Sequence, residues 1–195
     1  MGAARTKRWI SNLMSASGRS TECPVCIIGR YCPSETTSTT DMTNTYVCPA
    51  GMYCPAGTDR EPSMEQFACE AGSYCLAGQT PAPSPCPATT YNPATGRDAE
   101  LDCLDCPAGS TCAGGASQPR PCPRGGYCVA NVSQPTDCPA GSYQNETGQT
   151  SCMVCSLGSY CEAAASSPIM CPAGTYGSAA GLPGIDECTD VPPGF

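Results

Sequence analysis

The sequence contains no histidine, one tryptophan and, beyond Lys7, no lysine. Without histidine, the Ser-His-Asp and Cys-His nucleophilic arrangements and every His-ligated metal site are excluded. Leu, Ile, Val and Phe together supply 19 of 195 residues, about half the fraction below which chains tend to stay disordered. An ordinary hydrophobic core is therefore excluded. No run approaches the roughly 20 apolar residues of a membrane helix, so no membrane span is expected. The first residues lack the apolar segment of a secretory leader, since Trp9-Ile10 and Leu13-Met14 are the only apolar pairs there. Met1-Gly2-Ala3-Ala4-Arg5-Thr6 fits the myristoylation pattern. A cytosolic anchor contradicts the cysteines, however, so the N-terminus is read as incomplete or processed. Basic residues are also scarce: 9 against 17 acidic ones, a balance that disfavours nucleic-acid partners. Arg5, Lys7, Arg8 and Arg19 fall in the first 22 residues, leaving an acidic body.

What the chain has instead is 19 cysteines, 21 glycines and 21 prolines. That cysteine density is the make-up of a disulfide scaffold, which offsets a small core in an oxidising compartment. An extracellular or cell-surface location is expected. Gly and Pro at this level argue against long helices and central strands.

The cysteines are organised by one repeated unit, seen most plainly in Cys48-Pro-Ala-Gly-Met-Tyr-Cys54. Its opening cysteine recurs at Cys26, Cys48, Cys69, Cys86, Cys106, Cys122, Cys138, Cys155 and Cys171. These openers define units 1 to 9. The fourth residue is Gly in every unit but the one carrying Thr89, and the sixth is Tyr in all but the one carrying Thr111. Eight of the nine tyrosines occupy that sixth place, so the repeat and not chance sets their positions.

Six units close directly after the sixth residue, at Cys32, Cys54, Cys75, Cys112, Cys128 and Cys161. Three close later, after a polar insert, at Cys103, Cys152 and Cys188. Cys23 reads as a further late closer whose opener is missing, and so as unpaired or intermolecular. Val191-Pro-Pro-Gly-Phe195 resembles a tenth unit with Val in the opener's place. Both ends are expected to be interruptions of a longer array.

Cys-Pro-Ala-Gly matches a type I turn, with Pro at the second place and Gly at the fourth. Such a turn brings opener and short closer within the roughly 7 Å a disulfide needs. The Tyr ring is expected to lie over the bridge and the Pro ring. Parity favours pairing opener with closer inside each unit, because every unit brings its own two cysteines. A staggered alternative, Cys106 with Cys122 and Cys112 with Cys128, stays open. On a chain-entropy argument a seven-residue ring contributes about 2–2.5 kcal/mol and a fifteen-residue ring about 3 kcal/mol. The nine-residue spacers, such as Ala113-Gly-Gly-Ala-Ser-Gln-Pro-Arg-Pro121, read as extended crossings to the next turn.

The predicted fold is therefore an elongated rod of small disulfide-rich repeats, built from short β-hairpins and turns with little or no helix. Each unit is expected to touch mainly its neighbours. The chain divides into an atypical basic segment or repeat end (1–22), short-clasp repeats (23–85), a long clasp with short clasps (86–137), a long and a short clasp (138–170), and a long clasp with a truncated or capping repeat (171–195).

The Pro-x-Gly-x-Tyr-Cys and Cys-x-x-Cys-Pro-x-Gly elements resemble the ephrin-receptor-like cysteine-rich repeats. Those belong with the growth-factor-receptor and tumour-necrosis-factor-receptor modules and are abundant in large surface proteins of protists and algae. The resemblance covers residues 18–195. It implies that long openers pair with long closers, Cys86 with Cys103, Cys138 with Cys152 and Cys171 with Cys188. The consecutive short clasps depart from the receptor modules and are closer to the protist surface arrays.

Other chemistry is outweighed by the repeat. Cys23/Cys26, Cys103/Cys106 and Cys152/Cys155 have zinc-site spacing, yet each is explained as closer and opener. Cys23-Pro-Val-Cys26 lacks the βαβ surroundings of a redox motif. Asp98, Glu100, Asp102 and Asp105 could bind calcium weakly, but read better as solvated acidic surface. Asn131-Val-Ser133 and Asn145-Glu-Thr147 are N-glycan acceptor sequons. Thr36, Thr37, Ser38, Thr39 and Thr40 form a candidate O-glycan tract. No catalytic residue, metal or cofactor is expected. The function expected is a structural one, in an extracellular fibre, coat or appendage, with copies of itself or other fibre or coat proteins as partners. The competing expectation is a ligand-binding receptor or adhesion ectodomain.

Overall fold

The computed structural model describes residues 29–31, 46–56, 58, 61–78 and 82–192. Cys23, Cys26, Cys32 and the tract Thr36, Thr37, Ser38, Thr39, Thr40 lie outside the described residues, and with them the expectations placed there.

Seven two-stranded antiparallel hairpins follow one another along the chain. They are β1 (Ser73–Tyr74) with β2 (Ser84–Pro85), β3 (Thr90–Tyr91) with β4 (Leu104–Asp105), and β5 (Ser110–Thr111) with β6 (Arg120–Pro121). Then come β7 (Gly126–Tyr127) with β8 (Thr136–Asp137), β9 (Ser142–Tyr143) with β10 (Met153–Val154), β11 (Ser159–Tyr160) with β12 (Ile169–Met170), and β13 (Thr175–Tyr176) with β14 (Thr189–Asp190). One rule generates all seven. The fifth residue of a unit faces the residue before the next opener, and the sixth faces the one before that, as in Ser110 opposite Pro121 and Thr111 opposite Arg120. Isolated bridges from Arg30 to Val47 and from Met52 to Ala68 keep the same register in units 1 and 2. A single four-residue helical turn, α1 (Met64–Phe67), is the only α-helix among the described residues. The architecture is that of small disulfide-rich β-hairpin repeats.

The turn that starts each hairpin sits one residue later than the sequence suggested. The fifth residue's N–H donates to the second residue's carbonyl, as from Ser110 to Pro107 at 3.2 Å and from Ser142 to Pro139 at 3.0 Å. Gly is thus the third residue of the turn, and Gly109 has φ +80°, the left-handed geometry a type II turn requires there. Pro and Gly suit both turn types, so composition alone could not separate them. Ser or Thr at the fifth place adds a hydroxyl bond to the same carbonyl, at 2.8 Å from Thr90 to Pro87 and 2.6 Å from Ser142 to Pro139.

Consecutive units are joined by four main-chain hydrogen bonds. Unit 5 to unit 6 shows them all. Cys122 N–H donates to Gly109 O at 2.8 Å, and Gly109 N–H to Cys128 O at 2.8 Å. Asn131 N–H donates to Cys106 O at 2.9 Å, and Cys112 N–H to Val132 O at 3.0 Å. The equivalent four recur at 2.7–3.0 Å in every step from unit 3 to unit 8. The spacers are therefore not simply extended. Each reaches a left-handed residue, Gly78, Gly115, Asn131 or Ala164, whose N–H donates to the carbonyl of the opener one unit back. Gly96, Gly148 and Gly181 do the same in the long units.

Contacts also extend beyond nearest neighbours. A Cβ built on Gly109 would lie 2.3 Å from the carbonyl oxygen of Gly148, two units on, and one on Gly125 would lie 2.4 Å from that of Ala164. Gly51, Gly72 and Gly141 meet Gly96, Gly115 and Gly181 in the same way. The fourth-place glycine is thus needed twice, for its positive φ and for the carbonyl stacked on its α-carbon.

Thr89 breaks this rule at φ +78°, a conformation costly for a β-branched residue. Thr89→Gly is expected to stabilise the protein by about 0.5–1 kcal/mol after allowing for glycine's greater unfolded-state freedom. Thermal unfolding should show a higher midpoint. A lower one would mean that the Thr89 side chain makes contacts outweighing its strain.

The core is made of cystine. Apart from half-cystines, the buried hydrophobic residues among those described are Tyr160 and Leu182. The tyrosines otherwise lie at partly exposed positions, with Tyr176 44% exposed.

Candidate functional site

Eight bridges link the opener and closer of one unit each. Five span short clasps: Cys48–Cys54, Cys69–Cys75, Cys106–Cys112, Cys122–Cys128 and Cys155–Cys161. Three span long ones: Cys86–Cys103, Cys138–Cys152 and Cys171–Cys188. Their Cα atoms stand 5.8–5.9 Å apart, within the ordinary disulfide range. None of these bridges joins adjacent units. Cys103, Cys106, Cys152 and Cys155 are each bonded inside a unit, so neither of these two Cys-x-x-Cys pairs offers free thiolates to zinc.

The two kinds of clasp differ in burial. All ten cysteines of the five short bridges are at most 1% exposed. In the long bridges the closers Cys103, Cys152 and Cys188 are partly exposed, and Cys171 is as well. Thiol–disulfide exchange requires a thiolate to reach a sulfur. Limited dithiothreitol should therefore open Cys171–Cys188 first, then Cys86–Cys103 and Cys138–Cys152, with the short bridges last. Timed alkylation and peptide mapping would check the order; a short bridge opening as fast as Cys171–Cys188 would contradict it.

In the long units another residue takes the short closer's place. Asn92 follows Tyr91 and is 1% exposed; Gln144 follows Tyr143 and is 4% exposed. Asn92 Nδ2 donates to Ser73 O at 3.1 Å, and its Oδ1 accepts the Ala94 N–H at 3.1 Å. Gln144 Nε2 donates to Ser151 O at 2.8 Å, and its Oε1 accepts the Glu146 N–H at 3.0 Å. In unit 9 the place falls to Gly177, where a Cβ would come within 3.0 Å of Gly158. Reading the residue after each Tyr as Cys, Asn, Gln or Gly could have found this position, but cysteine counting passed over it.

The acidic group near the first long clasp is engaged in local structure. Asp102 Oδ2 accepts the N–H groups of Asp98 and Ala99, each at 3.2 Å, and Asp102 Oδ1 lies 3.9 Å from Arg97. Glu100 accepts from the Tyr74 hydroxyl at 3.4 Å, joining units 3 and 4. Asp105 is exposed in β4. Among the described residues no group of three or more His, Cys, Asp or Glu is placed to hold a metal ion. Tyr31, whose ring centroid is 5.3 Å from that of Tyr46, has its phenol pushed above its ordinary pKa, chiefly by desolvation, then by Glu61 and Tyr46. An open depression lined by Tyr127, Pro139, Ser142, Thr150, Ser151 and Cys152 lies between units 6 and 7. Asn131 and Asn145 are both exposed.

Geometry of this kind can staple, stack and repeat. The chain is a cysteine-rich repeat protein of serial disulfide-bonded hairpins, a make-up that fits a secreted or extracellular setting. Among the described residues no helix is long and apolar enough to cross a membrane. No protein-family model matches the chain, and no curated protein matches it.

Proposed function

We propose that the chain is a non-enzymatic structural component of an extracellular fibre, coat or cell-surface appendage. The observation that carries this reading is the recurrence of the same four main-chain hydrogen bonds over five successive steps. Bonds between backbone atoms tolerate changes of side chain, so the step can be repeated many times while the surface varies. The buried short bridges add resistance to unfolding, because each ring restricts the unfolded chain. An array built this way gains length and durability with each unit. On this reading its partners are copies of itself or other fibre or coat proteins, it carries covalent glycans, and its units are of the ephrin-receptor-like kind.

The test is immunogold electron microscopy of the source cells with an antibody against this chain. Label strung along extracellular filaments, a coat or an appendage would support the reading. Label confined to isolated membrane sites, with a soluble protein co-purifying, would contradict it and favour the receptor or adhesion ectodomain.

A further inference from the structure

We propose that Asn145, and not Asn131, is the acceptor of an N-linked glycan. The proposal rests on the extracellular reading, since the modification takes place in a secretory lumen. Both residues head sequons and both are exposed, so exposure does not separate them. What separates them is whether the fold itself has a use for asparagine at each place.

At Asn131 it has one. The residue stands at φ +58°, in the left-handed position filled by Gly78, Gly115 and Ala164 in other short units. Asparagine tolerates that region better than most side-chain-bearing residues. Its N–H donates to Cys106 O at 2.9 Å, and the next carbonyl, of Val132, accepts the Cys112 N–H at 3.0 Å. Asn131 is thereby accounted for as a backbone residue.

At Asn145 the fold asks for nothing of the kind. Its φ is not positive, and the matching residues of the other long units are Pro93 and Ser178. Asn145 makes none of the inter-unit hydrogen bonds, which in this insert belong to Gln144, Gly148 and Gln149.

The order of synthesis favours the same site. The main-chain partners of both segments precede them, Cys106 and Cys112 for Asn131 and Cys122, Gly125 and Cys128 for the Asn145 insert. The difference lies in the bridge: both cysteines of Cys122–Cys128 precede Asn131. The insert bearing Asn145 stays unclosed until Cys152 pairs with Cys138, and Gln144 fastens it only when Ser151 is present. A sequon held open for longer is the better substrate for transfer from a lipid-linked oligosaccharide. In that step Asn145 Nδ2 bonds to the sugar C1 and the C1–O bond to pyrophosphate breaks. The lipid pyrophosphate leaves, and the amide proton passes to a base of the transferase.

The experiment is translation of the full chain, with an appended secretory leader, into microsomes. Glycans are then released by PNGase F in oxygen-18 water and the peptides mapped. The expected result is one glycan per chain and the oxygen-18 label on residue 145. Asn145→Gln should lose the entire glycan mass shift, and Asn131→Gln should keep it. Label on Asn131, or equal label on both, would overturn the assignment. So would an unglycosylated chain in which the eight bridges have formed, an outcome that leaves the extracellular reading standing. Failure of that reading would show separately, in where the immunogold label lies.

Discussion

Gly109→Ala is expected to weaken the stack locally by about 2–4 kcal/mol, among the larger effects of a single methyl group. Two costs combine. Gly109 sits at φ +80°, where an L-residue is strained by roughly 1–2 kcal/mol. The new Cβ would also fall 2.3 Å from the carbonyl oxygen of Gly148, and a backbone atom fixed by its own ladder cannot step aside cheaply. Gly158→Ala separates the two terms. Gly158 has nearly the same φ, +78°, but no atom of the described residues lies within 4 Å of its Cβ position. It should cost only the strain, about 1–2 kcal/mol. Amide exchange at Gly148, whose N–H is bonded to Cys122 O at 2.8 Å, reads the local opening in Gly109→Ala. The exchange of Gly181, bonded to Cys155 O at 2.8 Å, serves for Gly158→Ala. Equal losses would show that the second-neighbour contact carries no weight.

Asn92→Ala should cost a comparable amount, about 2–4 kcal/mol, although it removes neither a cystine nor an apolar side chain. The Asn92 amide satisfies one carbonyl in unit 3 and one N–H in its own loop, at a site 1% exposed. Truncation leaves both partners without a bond in a place water cannot easily enter, at about 1–3 kcal/mol each. Asn92→Leu, which restores volume but not the bonds, should recover little of the loss. Chemical denaturation with the bridges intact would measure both. A change below about 0.5 kcal/mol in Asn92→Ala, the range of a neutral surface substitution, would show that the amide is a spectator.

The parts of this fold legible in the sequence are those that repeat as one residue type. Openers and closers could be counted because each must be cysteine, and the hairpin units followed from that count. The second-neighbour contact was not legible, since its partners, such as Gly109 and Gly148, are brought together only by the pitch of the stack. The left-handed spacer position was hidden for another reason. Gly115, Asn131 and Ala164 share a backbone angle and a hydrogen bond but no side-chain property that a pattern could catch. Asn92 and Gln144 carry a weak signal, standing where short units have cysteine, and only their burial explains it. The turn was misplaced by one residue because Pro and Gly satisfy two turn types equally, and only the bond from Ser110 to Pro107 distinguishes them.

These observations describe a protein in which specificity lies in the step between units. Cystines replace an apolar core, and main-chain bonds replace side-chain interfaces. Native-state amide hydrogen exchange tests that claim most directly. The opener amides of Cys106, Cys122, Cys138 and Cys155 and the fourth-place amides of Gly109, Gly125 and Gly141 all bond across unit boundaries. They are predicted to be strongly and similarly protected, well above the exposed loop amides of Asn145 and Thr147. Boundary amides that exchange as fast as those loops, with all bridges intact, would mean that the units are separate beads on a string and would contradict the stacked array.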